Sequence, residues 1–342
     1  MSGRQTALYS KMKKSKKAML AEYGKKLFVL RKSVQTKHPN TDEYVRNSQL
    51  FIFLKEKYPN TTVRSFRSLF HFHPFVIDTV SKRFDFEKYG ITNEHIVEFF
   101  FHLSTYSSDD ISHMVLGTSR GTFSNRIQDF LDCMNSQNYI SFEKRLWDIW
   151  PSKYRHGVYH DTVFTCQTDG TECPVQKTST DFHQSYLNYS GYWSDCTQKY
   201  LFFFSINTGI LIGMNGPLYG PTGDTTALEI SGVNDILKRE KELGIGDCKF
   251  TGPRASNFRV KKDYSKENGD RESFQEKRPL VENGIGMLKR FAIFNMPFRG
   301  EHAKQGLFVR AISQFIYFQT LYYPLREYPS QMSDKDFKSC LF

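Results

Sequence analysis

The sequence predicts an α/β protein in which an all-α region precedes a mixed sheet flanked by helices. Three observations point there. Apolar residues recur at helical spacing from Thr92 to Leu131, short β-favouring runs alternate with turn residues after Val163, and an amphipathic helix closes the pattern between Arg278 and Arg290. At 342 residues the chain can bury a substantial core and hold two domains with a short arm.

In order, residues 1–40 form a basic arm, disordered or helical, with eleven Lys/Arg and the single acid Glu22 in its first 37 residues. Its KMKKSKK run suits a nuclear import signal, a segment lying along phosphates, or a solvated tail. Residues 41–150 read as helices. Ile96, Val97, Phe99, Phe100 and Leu103 mark one helix, and Ser107 to Asp110 supply N-cap chemistry for a short second helix that carries Ile111, Met114 and Val115 and stops at Gly117. A third opens near Ser119 and buries Phe123, Ile127, Phe130 and Leu131. Two helices, a glycine turn and a third helix with a polar amino-terminal face match a helix-turn-helix reader of double-stranded DNA or, equally, a small bundle. In the first case Ser119, Arg120, Thr122, Ser124, Asn125 and Gln128 face the major groove.

Residues 140 to 160 look like a last helix ending before Pro151, then a linker. The second unit covers 160–325. Val163 to Thr168 predicts a strand that ends at Asp169-Gly170-Thr171. Tyr200 to Ile206 and Ile210 to Gly213 form a hairpin about Asn207-Thr208-Gly209. Gly223-Asp224 leads into one helix from Thr225 to Leu243, with Thr226 and Glu229 spaced as a capping box. A fourth strand lies around Asp247 to Phe250. Residues 252 to 277 read as a loop, Pro279 suits the first turn of the next helix, and an aromatic-rich helix spans Gly306 to Leu321, leaving 326–342 as a tail.

The balance of 47 Lys+Arg against 36 Asp+Glu, formally +11, favours a polyanionic partner. Six cysteines show no C-x-x-C pair, so free thiols are expected, Cys166 and Cys173 among them. No apolar run approaches a membrane span, so no membrane association is expected.

Strand, hairpin, helix, strand, helix, with acids at the first strand, near the fourth and on the last helix, is the order of a ribonuclease H-like fold. Asp169, Asp247 and Glu282 are then the candidate catalytic and metal-binding residues. Hydrolysing a phosphodiester requires neutralising the non-bridging oxygens and activating both water and leaving group; two Mg²⁺ or Mn²⁺ ions do this, and such hard cations prefer carboxylate oxygens. Arg278, Glu282 and Lys289 fall on one helical stripe, a carboxylate between two cations.

The order Asp169-Gly170-Thr171, Gly220 to Asp224, Gly246-Asp247, then Arg278, Glu282 and Lys289 spaced R-x₃-E-x₆-K, resembles the DDE transposases of the PIF/Harbinger type. Bacterial insertion-sequence transposases share the last element. The PIF/Harbinger family usually follows its second acid with Gly-Tyr, where this chain has Cys248-Lys249-Phe250, so Asp224 stands as a substitute second acid. The resemblance implies a metal-dependent transposase that binds element ends and joins them to target DNA, with Arg278 and Lys289 near phosphates. It also implies a nuclear or otherwise intracellular protein, a homodimer or larger assembly, and a Myb-like DNA-binding partner. A DNA-binding protein without catalysis, and a nuclease without strand transfer, are the competing readings.

Overall fold

A computed structural model describes residues 33–39, 41–140, 142, 157–159, 162–177, 182–206, 209–260 and 270–325, with side chains of the last segment described from Pro279 onward. The basic arm before residue 33, the tail after 325, most of the expected 140 to 160 helix and linker, and the Arg278 side chain lie outside that description.

The helical region comprises α1 (Asp42–Arg46), α2 (Gln49–Lys57), α3 (Val63–Phe70), α4 (Pro74–Arg83), α5 (Asn93–Thr105), α6 (Asp109–Leu116) and α7 (Arg120–Asn135). Local signals set nearly every boundary. Thr41, Ser48, Thr62, Ser108 and Ser119 each accept a backbone N–H in the following turn, and Gly117 ends α6 in the left-handed region at φ 70°. Helix α6 turns Ser112 and Leu116 inward and leaves Ile111, Met114 and Val115 exposed. The inward face docks on α7, and Ser112 bonds the Ser107 hydroxyl at 2.8 Å, so a polar residue is accommodated there.

The remainder comprises β1 (Gly157–Tyr159), β2 (Thr162–Pro174), α8 (Phe182–Asn188), β3 (Tyr189–Ser190), β4 (Asp195–Ser205), β5 (Leu211–Tyr219), α9 (Asp224–Ser231), α10 (Val233–Glu240), β6 (Leu243–Ile245), β7 (Phe258–Arg259), α11 (Asp270–Lys289) and α12 (His302–Tyr322). The sheet runs β5-β4-β2-β6-β7. Strand β4 is antiparallel to both β2 and β5, while β6 is parallel to β2 and β7 parallel to β6. Strand β4 is buried on both faces from Cys196 to Ser205, which is why YLFFFS reads as a continuous apolar run.

Several expected boundaries move. Strand β2 continues to Pro174 because β4 pairs with it that far, so Asp169 lies within the antiparallel β2–β4 pairing, while the pairing with β6 stops before it, at Gln167. The expected single helix over 225 to 243 breaks at Gly232, which is left-handed at φ 68°. Its capping box does not form: Gly223 is the N-cap, and the Thr226 hydroxyl and Glu229 carboxylate both take Arg254, at 3.2 Å each. Helix α11 starts at Asp270, so Pro279 sits inside it rather than in its first turn, and residues 252 to 260 include a short helical turn and β7 rather than loop alone.

The buried apolar side chains form one cluster spanning both regions. Phe100 of α5 packs on Phe70 of α3 and on Phe315 of α12 with ring centroids 5.1 and 5.2 Å apart, and Phe99 stacks on Phe130 of α7 at 4.1 Å. Such aromatic pairs add to the burial of large rings. The helical trio α5 to α7 is thereby anchored on α12, which also packs on β5. Among the described residues no helix is long and apolar enough to cross a membrane.

Candidate functional site

Side chains alternate along a strand, and directly paired residues of neighbouring strands share a face. Asp169 pairs with Phe202 and Gln167 with Phe204, so these four belong to one face of the sheet; Gly170, paired with Leu201, belongs to the other. Helix α11 covers the first face, because a Cβ at Gly284 would overlap the Phe204 ring. The parallel pairing of β2 with β6 ends at Gln167 with Ile245. Two residues further along each chain come Asp169 and Asp247, and the Gly246 amide extends the β6–β7 pairing by donating to Arg259 O at 3.1 Å. Continued two residues past its last pair, the register would set Asp169 and Asp247 side by side on the face that α11 covers. Each accepts the next amide through its own Oδ1, Gly170 N at 2.8 Å and Cys248 N at 2.6 Å, which orients both carboxylates alike.

Glu282 is exposed on α11. Lys289 lies seven residues on, two helical turns and about 20° around the axis. Its ammonium donates to Glu172 O at 2.5 Å, Phe294 O at 3.0 Å and Cys173 Sγ at 3.6 Å, so this stripe of the helix looks toward β2. Glu282 therefore shares the flank of α11 nearest the strand that carries Asp169. Lys289 itself is a brace between α11 and β2: its three donors are engaged with the protein, not turned out toward a phosphate.

Asp224 is on the opposite face. Its Oδ1 lies 2.9 Å from where a Gly170 Cβ would be, and it pairs with the nearly buried Lys199 at 2.6 Å. Lys249 approaches its other oxygen at 3.9 Å. The substitute acid is thus held by two cations across the sheet from Asp169. Among the described residues no three His, Cys, Asp or Glu side chains are grouped to hold one ion. Cys166 and Cys173 are buried free thiols, as expected, and burial pushes the Cys173 thiol up despite Lys289 beside it.

On the helical region, Ser119, Arg120, Thr122, Ser124 and Asn125 stand exposed along the start of α7, with Gln128 half-buried behind them. Ser119 caps the helix, accepting Thr122 N at 3.1 Å; Arg120 reaches Asp110 at 3.3 Å, and Gln128 donates to Asp132 at 2.8 Å. Arg120, Ser124 and Gln128 also line a cavity of about 350 Å³ between α7 and the approach to α12. Sequence reasoning missed the cations across that cavity, Arg299 and Lys304. Arg299 stacks over Tyr106 at 4.3 Å and donates to Ser107 O at 3.0 Å. Neither carries a motif, so only the positive balance of the chain hinted at them. His102 on the same wall is buried, and burial lowers its pKa to about 4.

No protein-family model matches this chain, and neither the curated proteins nor the solved structures give a match.

Proposed function

We propose that this chain is a metal-dependent DNA endonuclease of the DDE type, a transposase that reads DNA ends through α7 and cuts them at the sheet. Support comes from the strand order, a central strand with an antiparallel hairpin on one side and two parallel strands on the other, the order expected of a ribonuclease H-like fold. The observation that carries the reading is the parallel β2–β6 register, which ends two residues before both Asp169 and Asp247, beneath the helix bearing Glu282. Carboxylates suit hard divalent cations, so these three residues would hold Mg²⁺ or Mn²⁺, which supplies charge neutralisation and an activated water. Asp224 is not needed in that set, since it has Lys199 for a partner on the other face.

The protein's own groups do the rest. The exposed polar start of α7 would seat the duplex, with Asn125 and Arg120 able to address base edges and Ser124 a phosphate. The orienting amides of Gly170 and Cys248 hold the two carboxylates in place before DNA arrives. The test is cleavage of duplex carrying candidate element ends in Mg²⁺ or Mn²⁺, beside a metal-free gel shift. Asp169→Asn and Glu282→Gln should each lower cutting at least a hundredfold while binding stays near wild type; normal cutting by either variant overturns the assignment.

A second reading, a DNA-binding protein on this scaffold without chemistry, draws on the lack, among the described residues, of three His, Cys, Asp or Glu side chains grouped to hold an ion. Specific binding without cutting under any divalent ion would establish it.

A further inference from the structure

Building on the nucleic-acid reading above, we infer that the turn between β3 and β4 is a stacking platform for an unpaired base of a DNA strand. Gly191, Tyr192, Trp193 and Ser194 form this turn, with Ser194 left-handed at φ 54°. Tyr192 is 83% and Trp193 53% exposed, and their rings lie edge to face at 6.1 Å. Large aromatic surface this open is ordinarily covered, and here nothing among the described residues covers it. The Lys249 ammonium sits 5.5 Å from the Tyr192 ring centroid, and Lys249 follows Asp247 by two residues. The same ammonium lies 3.9 Å from Asp224, so the aromatic turn adjoins the Asp224 face of the sheet. Exposed aromatics continue to both sides of β4: Tyr189 pairs with Cys196 and Tyr219 with Gln198, and both side chains are about half exposed.

This chemistry selects the occupant. Tyr and Trp offer flat faces to a base, and Lys249, held between the Tyr192 ring and Asp224, offers charge to a phosphate. An aliphatic protein surface would gain nothing from the ammonium over Tyr192. A duplex keeps its bases stacked on each other, so only an unpaired or flipped base can use the platform.

The test uses the full chain in EDTA, so cleavage plays no part, with a short oligothymidylate carrying one 2-aminopurine as probe. Wild type should quench the 2-aminopurine, and Tyr192→Ala and Trp193→Ala should each weaken binding about tenfold, the scale of one lost base stack. Tyr192→Phe and Trp193→Phe should retain most of the affinity, because they keep a ring. Binding of fully paired duplex should be unchanged, which separates this surface from α7, and far-UV circular dichroism of these exposed-site variants should match wild type. Equal single-strand binding by wild type and the Tyr192→Ala/Trp193→Ala double variant overturns the inference. A wild type that binds duplex and cuts it but never binds or quenches the single strand overturns it too, while leaving the endonuclease reading intact. Conversely, quenching by a chain that never cuts would sustain the platform and sink the enzyme.

Discussion

The helical region and the sheet place their candidate residues by different physics. Along α7 the polar row from Ser119 to Gln128 is positioned by neighbours in sequence: Gly117 ends one helix, Ser119 caps the next, and the 3.6-residue period does the rest. In the sheet, Asp169 and Asp247 are 78 positions apart, and only the parallel register of β2 and β6 relates them. A site set by local signals should survive damage to the distant fold better than a site set by register. Each prediction below bears on that contrast.

The largest effect is expected where the helical region depends on a long-range contact after all. Arg126 of α7 bonds the buried Glu98 of α5 at 2.6 Å. Arg126→Ala would strand a charge in the core, at a cost of about 3 to 5 kcal/mol in chemical denaturation. Replacing both partners by apolar residues of like size should recover most of that loss. Next, Gly284→Ala drives a methyl into Phe204 and should cost about 1 to 3 kcal/mol by overpacking. Because α11 carries Glu282, cleavage should fall further than stability while duplex binding by α7 is spared. Equal loss of both activities would show that the two regions act as one unit.

Ser119→Ala removes the cap of α7 and should cost about 1 kcal/mol, with a matching drop in duplex affinity. Acid should act on the helical region as well. Burial lowers His73 and His102 to about 4, whereas the unfolded chain protonates its histidines near 6.5. The unfolded state therefore binds protons first, and stability should fall as pH drops from 6.5 toward 4 and level off, as far as these groups decide it. His102→Gln should flatten that slope in a urea series run across the window. The smallest effect belongs to Thr226→Ala: with no capping box to lose, it should change stability by less than about 0.5 kcal/mol.

These contrasts follow what was legible in the chain. Helix starts at Ser108 and Ser119 and the stop at Gly117 could be read because a cap is chemistry between residues two or three apart. The hairpin of β4 and β5 was legible for the same reason. The extent of β2 was not, since only pairing with β4 carries it to Pro174. Nor was the inward face of α6, where exposure of Met114 depends on which neighbour the helix meets. Period alone cannot choose between two faces of so short a helix. For the acids, sequence order nominated Asp169, Asp247 and Glu282 but left Asp224 as a rival. Pleat alternation and the Lys199 ion pair, both properties of the folded sheet, put that rival on the opposite face. Lys289 kept its place on the Glu282 stripe yet turned out to brace β2.

The most direct measurement of the central claim is a crystal soaked in Mn²⁺ and recorded at the manganese edge. The account predicts an anomalous peak touching the carboxylates of Asp169 and Asp247 on the face that α11 covers, with Glu282 turned toward it, and loss of that peak in Asp247→Asn. A peak seated instead on Asp224 beside Lys199, or a peak unchanged in Asp247→Asn, would contradict it.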